Sequence, residues 1–158
     1  MPRFSYFLIV FALATPLASN VVAAAEPIVT VYKSPTCGCC SKWIKHLEHS
    51  GFEVASVDLN DLQQIKDMAG IAPEQASCHT ARVGDYVIEG HVPVGDIRRL
   101  LNERPPARGL TVPGMPLGSP GMEAPNPQTY QVLLIGEDGD TSVFATHEGA
   151  ADAEDERP

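Results

Sequence analysis

Three cysteines fall within four residues, Cys37-Gly38-Cys39-Cys40, directly after an apolar β-branched run (Ile28 to Tyr32) and directly before a helix-patterned segment. No other feature restricts the chain as much. A disulfide needs Cα atoms about 4.4 to 6.8 Å apart with converging Cβ vectors, and sequence neighbours stand about 3.8 Å apart, so Cys39 and Cys40 pair only with strain. Cys37 and Cys40 have the spacing to close a small loop. Cys78 is the only other cysteine, so two disulfides would use every thiol, and at least one would run from the cluster to Cys78. A redox pair or a thiolate metal site explains the crowding better than a structural framework does.

The apolar period changes along the chain in a recognisable order. Ile28 to Tyr32 reads as a strand, Lys33 to Cys37 as a turn, and Cys39 to Ser50 as a helix stopped by Gly51. Phe52 to Asp58 reads as a second strand. Asn60 or Asp61 then caps a short helix that turns Leu62, Ile65 and Met68 to the core and ends at Gly70. Thr80 to Val83 and Tyr86 to Glu89 flank Gly84-Asp85 as a hairpin, and Ile97, Leu100 and Leu101 mark a last helix stopped by Pro105-Pro106. This order predicts an α/β, thioredoxin-like sandwich whose first strand-helix-strand unit crosses over right-handedly. Gly109 to Pro127 has no period and reads as a long Pro/Gly/Met loop. Gln131 to Ile135 and Ser142 to Thr146 form a C-terminal β-hairpin added to the same domain.

The chain ends differ from this body. Residues 1–25 have the pattern of a secretory signal: basic Arg3, an apolar stretch from Phe7 to Leu17, and Ala23-Ala24-Ala25 before Glu26. Residues 26–147 would then form the folded domain and 148–158 a disordered acidic tail. Cleavage removes one basic and no acidic residue from 11 basic and 20 acidic, leaving a formal charge of −10. Such a charge argues against nucleic acid as a partner. A soluble exported protein, free of the membrane once cleaved, is expected, which in a bacterium means the periplasm.

On the expected frame, Cys37 ends the strand-to-helix turn and Cys40 lies in the first helical turn, where free N–H groups and the helix dipole favour a thiolate and should depress both pKa values. Thioredoxin-like folds usually carry a cis-proline in the loop facing that turn; here the loop is Ser77-Cys78-His79-Thr80, without proline, and it brings a fourth sulfur. Four soft sulfurs suit Cu(I), zinc or an iron-sulfur cluster. Adjacent helical side chains diverge by about 100°, so Cys39 and Cys40 are better placed to bridge different ions than to share one. That predicts a polynuclear thiolate site with copper first and zinc as second choice.

The motifs Thr36-Cys37-Gly38-Cys39-Cys40 with Trp43, Ser77-Cys78-His79-Thr80, Gly90-His91-Val92-Pro93, and Val112-Pro113-Gly114-Met115-Pro116 through Gly118-Ser119-Pro120-Gly121-Met122-Glu123 occur in that order. In them the chain resembles the CopG-like periplasmic copper-resistance proteins, long catalogued as a domain of unknown function. The resemblance covers nearly all of the sequence after residue 25. It implies a thioredoxin-like fold, export, a cluster of copper ions held by Cys37, Cys39, Cys40 and Cys78, and reversible thiol oxidation when copper is absent.

Further ligand candidates are Met115 and Met122, whose thioethers suit Cu(I), with Met115 the better placed, and His79 beside Cys78 as ligand or proton partner. His91 reads as a turn residue or a ligand, His46 and His49 as structural, His147 as solvated, and Trp43 as a wall of the site. Two functions compete. One is a periplasmic copper-tolerance protein holding Cu(I), with copper ions and other periplasmic copper-handling proteins as partners and a possible copper/thiol redox activity. The other is a thiol-disulfide oxidoreductase in which Cys37 attacks and Cys40 resolves. The surplus of Cys39, Cys78 and the methionine loop favours the first.

Overall fold

Alternating β-branched residues make the first strand, β1 (Val29–Lys33), which buries Val29, Val31 and Lys33 on one side. The computed structural model describes residues 26–149; the expected signal and the tail from residue 150 onward lie outside them. After a turn, α1 (Gly38–His49) begins with Cys37 as its N-cap, whose sulfur accepts the Cys40 N–H at 3.4 Å. Cys40, Trp43 and Leu47 recur at helical spacing and form its buried face. Gly51 takes φ +94°, a conformation that releases the chain toward β2 (Val54–Asp58), a largely exposed edge strand parallel to β1.

The N-cap of α2 (Gln63–Ala69) is Leu62, not the expected Asn60 or Asp61; Asp61, one residue earlier, accepts the Gln63 N–H at 2.8 Å, and Gly70 ends the helix in a left-handed conformation. Met68, expected in the core, is 66% exposed, and Lys66 is buried in its place. The helix is too short to complete an apolar stripe. Its inner face is set by an acidic partner for Lys66 on the sheet, at the expense of Met68. A 3-10 turn, Pro73–Gln75, leads to β3 (His79–Val83), which pairs with β4 (Tyr86–Glu89) across the tight Gly84-Asp85 turn.

Next come α3 (Val94–Glu103), β5 (Ala107–Thr111), β6 (Tyr130–Gly136) and β7 (Thr141–His147). One mixed sheet results, ordered β2-β1-β3-β4-β5-β6-β7. The main core joins Trp43 and Leu47 of α1 and Ile97 and Leu100 of α3 to Val31, Ala81, Val83 and Ile88 of the sheet. A smaller cluster of Ile71, Val87 and Ile135 lies apart from it, with Ala69 of α2 packed against it.

Strand β5 departs from the sequence expectation, which placed residues from Gly109 onward in a loop. Residues 107–111 instead run parallel to β4 and antiparallel to β6, so the C-terminal hairpin continues the sheet. Gly109 is the reason. A Cβ there would overlap the Val87 carbonyl, so only glycine lets the two backbones approach. His147, expected to be solvated, bonds Asp96 of α3 through Nε2 at 2.6 Å and stacks on Tyr130 with centroids 5.4 Å apart. Replacing Gly109 by Ala should therefore separate β4 from β5 and cost about 3 kcal/mol or more. Urea unfolding would show it as a lower midpoint.

Candidate metal centre

Two chain segments meet at one end of the sheet. β1 runs through Ser34–Cys37 into α1, and Ser77-Cys78 enters β3, whose His79 pairs with Lys33 at the end of β1. Cys37, Cys39, Cys40 and Cys78 thereby come together, their sulfurs mutually within 4.8 Å. Cys37 and Cys40 form a disulfide with a Cα–Cα distance of 5.4 Å, which the three-residue spacing allows. The thiolate pair expected there is thus oxidised in this structure. Cys39 and Cys78 are free, with the Cys39 sulfur 3.4 Å from that of Cys37 and the Cys78 sulfur 3.6 Å from that of Cys40. Burial pushes the Cys78 thiol up to about 12, helped by the charge and hydrogen bond of Cys39.

A second donor set shares Cys78. Its sulfur lies 3.3 Å from His79 Nδ1 and 3.1 Å from His91 Nε2, and the three ligand atoms lie within 4.8 Å of one another. His91 Nδ1 donates to the Pro120 carbonyl at 2.8 Å, so in the neutral ring Nε2 turns its lone pair toward Cys78. Burial lowers the His91 pKa, against the opposing Pro120 bond. Burial takes His79 well below its ordinary value, and the charges of His91 and Lys66 add to the effect. Both rings are therefore neutral at pH 7 and able to ligate. His79 Nε2 is the buried side-chain nitrogen or oxygen left without a hydrogen bond among the described residues. Trp43 walls this region as expected: its ring centroid is 4.4 Å from that of His79, and its Nε1 donates to Val92 O at 2.9 Å.

The loop from Val112 to Glu123 covers α1. A Cβ at Gly121 would lie 2.8 Å from the Cys39 carbonyl, so the loop rests directly on the cysteine turn. Glu123 accepts the Gly121 N–H at 2.6 Å and bonds His46 Nε2 at 2.7 Å, which gives His46 its structural role. Met115 is 53% exposed just past Gly114, whose backbone bridges Ser77; Met122 is half-buried. Sequence reasoning gave His91 no certain place, because the carbonyl that orients it belongs to a loop 29 residues away.

Once the Cys37–Cys40 disulfide is reduced, four cysteine sulfurs beside neutral imidazoles fit Cu(I) and zinc, the ions such donors prefer and whose binding displaces the thiol protons. Scaffold and site together define a thiol-rich α/β protein with a cluster of cysteine and histidine side chains whose spacing could hold a metal ion. A family model described as "Protein of unknown function, DUF411" matches residues 75–122. The solved structure "Copper resistance protein copG- Form 1" is 41% identical with a TM-score of 0.74, covering 78% of this chain and 99% of its own. Form 2 is 41% identical with a TM-score of 0.73, covering 77% and 98%. No curated protein matches. The chain belongs to the CopG family of copper-resistance proteins.

The loop latch has a defined acid response. Partial burial would raise the Glu123 carboxyl, but the Gly121 and Glu123 N–H groups and His46 outweigh it, so its pKa lies below the ordinary value. Such a group stabilises the fold fully above its unfolded pKa of about 4.5, and the contribution is lost as pH falls through the lower folded value. Below about pH 4.5 the loop should loosen over α1, read as a lower amide protection factor at Gly121 after correction for the intrinsic exchange rate at each pH. In Glu123→Gln the loop should already be loosened at pH 7, with a flatter acid response.

Proposed function

We propose that this chain is an exported, periplasmic copper-tolerance protein that holds more than one Cu(I) ion in a site built from Cys37, Cys39, Cys40 and Cys78. The observation that carries this reading is the convergence of four sulfurs within 4.8 Å of one another, on two segments that meet only in the fold. A mononuclear zinc site draws tetrahedral ligands from spaced pairs, whereas three sulfurs crowded into one turn with Cys78 beside them suit bridging between ions. His79 and His91 supply further donors through Cys78, and Met115 is proposed as a thioether cap from the loop. Zinc remains the competitor for the same atoms.

The scaffold is proposed to be thioredoxin-like. In support, β2-β1-β3-β4 carry a parallel β1/β2 pair joined through α1, and α3 shares α1's core. The Cys37–Cys40 disulfide supports a redox partnership with copper. Oxidising that dithiol releases two electrons and two protons, enough to reduce two Cu(II) ions to Cu(I). The same disulfide favours a second reading, a thiol-disulfide oxidoreductase acting on proteins, in which Cys78 has no required part.

Cys78→Ser separates the two. Under the copper reading, reduced wild-type protein takes up more than one Cu(I) in anaerobic competition with a chelator, and Cys78→Ser loses stoichiometry or affinity while disulfide exchange persists. Retained exchange with unchanged copper binding in Cys78→Ser would favour the oxidoreductase. Saturation of the wild type at a single equivalent would rule out the polynuclear site.

A further inference from the structure

Directly behind the sulfurs, on the opposite face of the sheet, Lys66 of α2 pairs with Glu89 of β4. Glu89 is fully buried and Lys66 nearly so. Both Glu89 oxygens are engaged. One accepts from Lys66 Nζ and from the Ser77 N–H, the latter at 2.6 Å; the other accepts from the Thr80 hydroxyl at 2.6 Å. Thr80 stands opposite Glu89 in the β3–β4 register, and strand alternation turns it away from the face that holds Ala81 and Val83.

Ser77 immediately precedes Cys78, and it is gripped from the front as well. Its hydroxyl donates to the Gly114 carbonyl, and the Gly114 N–H donates to Ala76 O at 3.0 Å. Gly90 opens the slot: a Cβ there would lie 2.6 Å from Ser77 Cβ and 2.7 Å from Val112 O. The segment entering β3 is thus held between a buried carboxylate and the loop that carries Met115.

Buried ion pairs contribute little net stability, and well-packed apolar residues of similar volume often replace them without loss. An apolar side chain cannot, however, receive the Ser77 N–H. We propose that Glu89, oriented by Lys66, is a positioning residue for Cys78: it fixes Ser77 from behind the sheet and so sets how closely the Cys78 sulfur approaches Cys40 and the two histidines. Its purpose rests on the copper-thiolate reading; its geometry does not.

The test compares two neutral double variants, Lys66→Met/Glu89→Leu and Lys66→Met/Glu89→Gln, which differ in whether an acceptor remains for the Ser77 N–H. The readout is the iodoacetamide alkylation rate of Cys78 in metal-free, oxidised protein, with Cys39→Ser in every background so that Cys78 is the single free thiol. The Leu variant should react about tenfold faster or more, as loss of a strong hydrogen bond implies, while the Gln variant stays near the wild-type rate. Val83→Ala, in the main core at the end of β3 remote from Ser77, controls for general loosening and should leave the rate unchanged.

With Cys39 restored and the protein reduced, Cu(I) affinity should fall in the Leu variant alone. Should the Leu variant fail to fold, Glu89→Asp, which withdraws the carboxylate by one methylene, should accelerate alkylation to a smaller extent. Equal rates for the Leu and Gln variants, or a wild-type rate in Glu89→Asp, would overturn the positioning role. A wild type that takes up no Cu(I) while the alkylation pattern holds would defeat the copper reading and leave the positioning role standing.

Discussion

The antiparallel register of β3 on β1 is the constraint on which the site depends. The pairing of Lys33 with His79 is the last of the ladder. Beyond it β1 turns into the Cys37 cap of α1, and β3 is entered from Ser77-Cys78, so the two sulfur-bearing segments lie side by side. A slip of one residue would exchange the faces of His79 and Thr80, moving the imidazole away from Trp43 and setting a hydroxyl in the core. The register is secured by Val29, Val31, Ala81 and Val83, whose alternation buries them together under α1 and α3.

That end of the sheet carries an unusual polar load. Lys66, His79, Thr80, Glu89 and His91 are all buried there. Interiors accept such groups when they are bonded, and all but one of these side chains have every buried polar atom paired. His79 Nε2 is the exception. Packing of Trp43 against His79 and the large apolar core below offset the cost, and in return the groups around Cys78 are held in place by the fold. Stability and site are therefore coupled: the groups that burden the core are those that orient the sulfur.

Much of this was legible in the sequence, for physical reasons that differ by element. The β-branched run before the cysteines, the Trp43–Leu47 spacing and the Gly84-Asp85 turn announce β1, α1 and the β3–β4 hairpin, and the CopG-like motifs point to the family that the solved relatives establish. Strand β5 was hidden because its central Gly109 reads as a breaker, while its real task is to let Val87 approach. Met68 was misplaced because a seven-residue helix can bury a lysine when the sheet offers a carboxylate. The Glu89–Ser77 bond, the Pro120–His91 bond and the His147–Asp96 pair join residues remote in sequence, and a single chain read locally carries no signal for them.

Copper K-edge X-ray absorption on the reduced, Cu(I)-loaded protein tests the proposed polynuclear copper-thiolate centre. Such a centre predicts a first shell dominated by sulfur together with a short copper–copper vector, the vector being lost in Cys78→Ser. A shell of sulfur and nitrogen around isolated copper, with no copper–copper scattering at full loading, would contradict it.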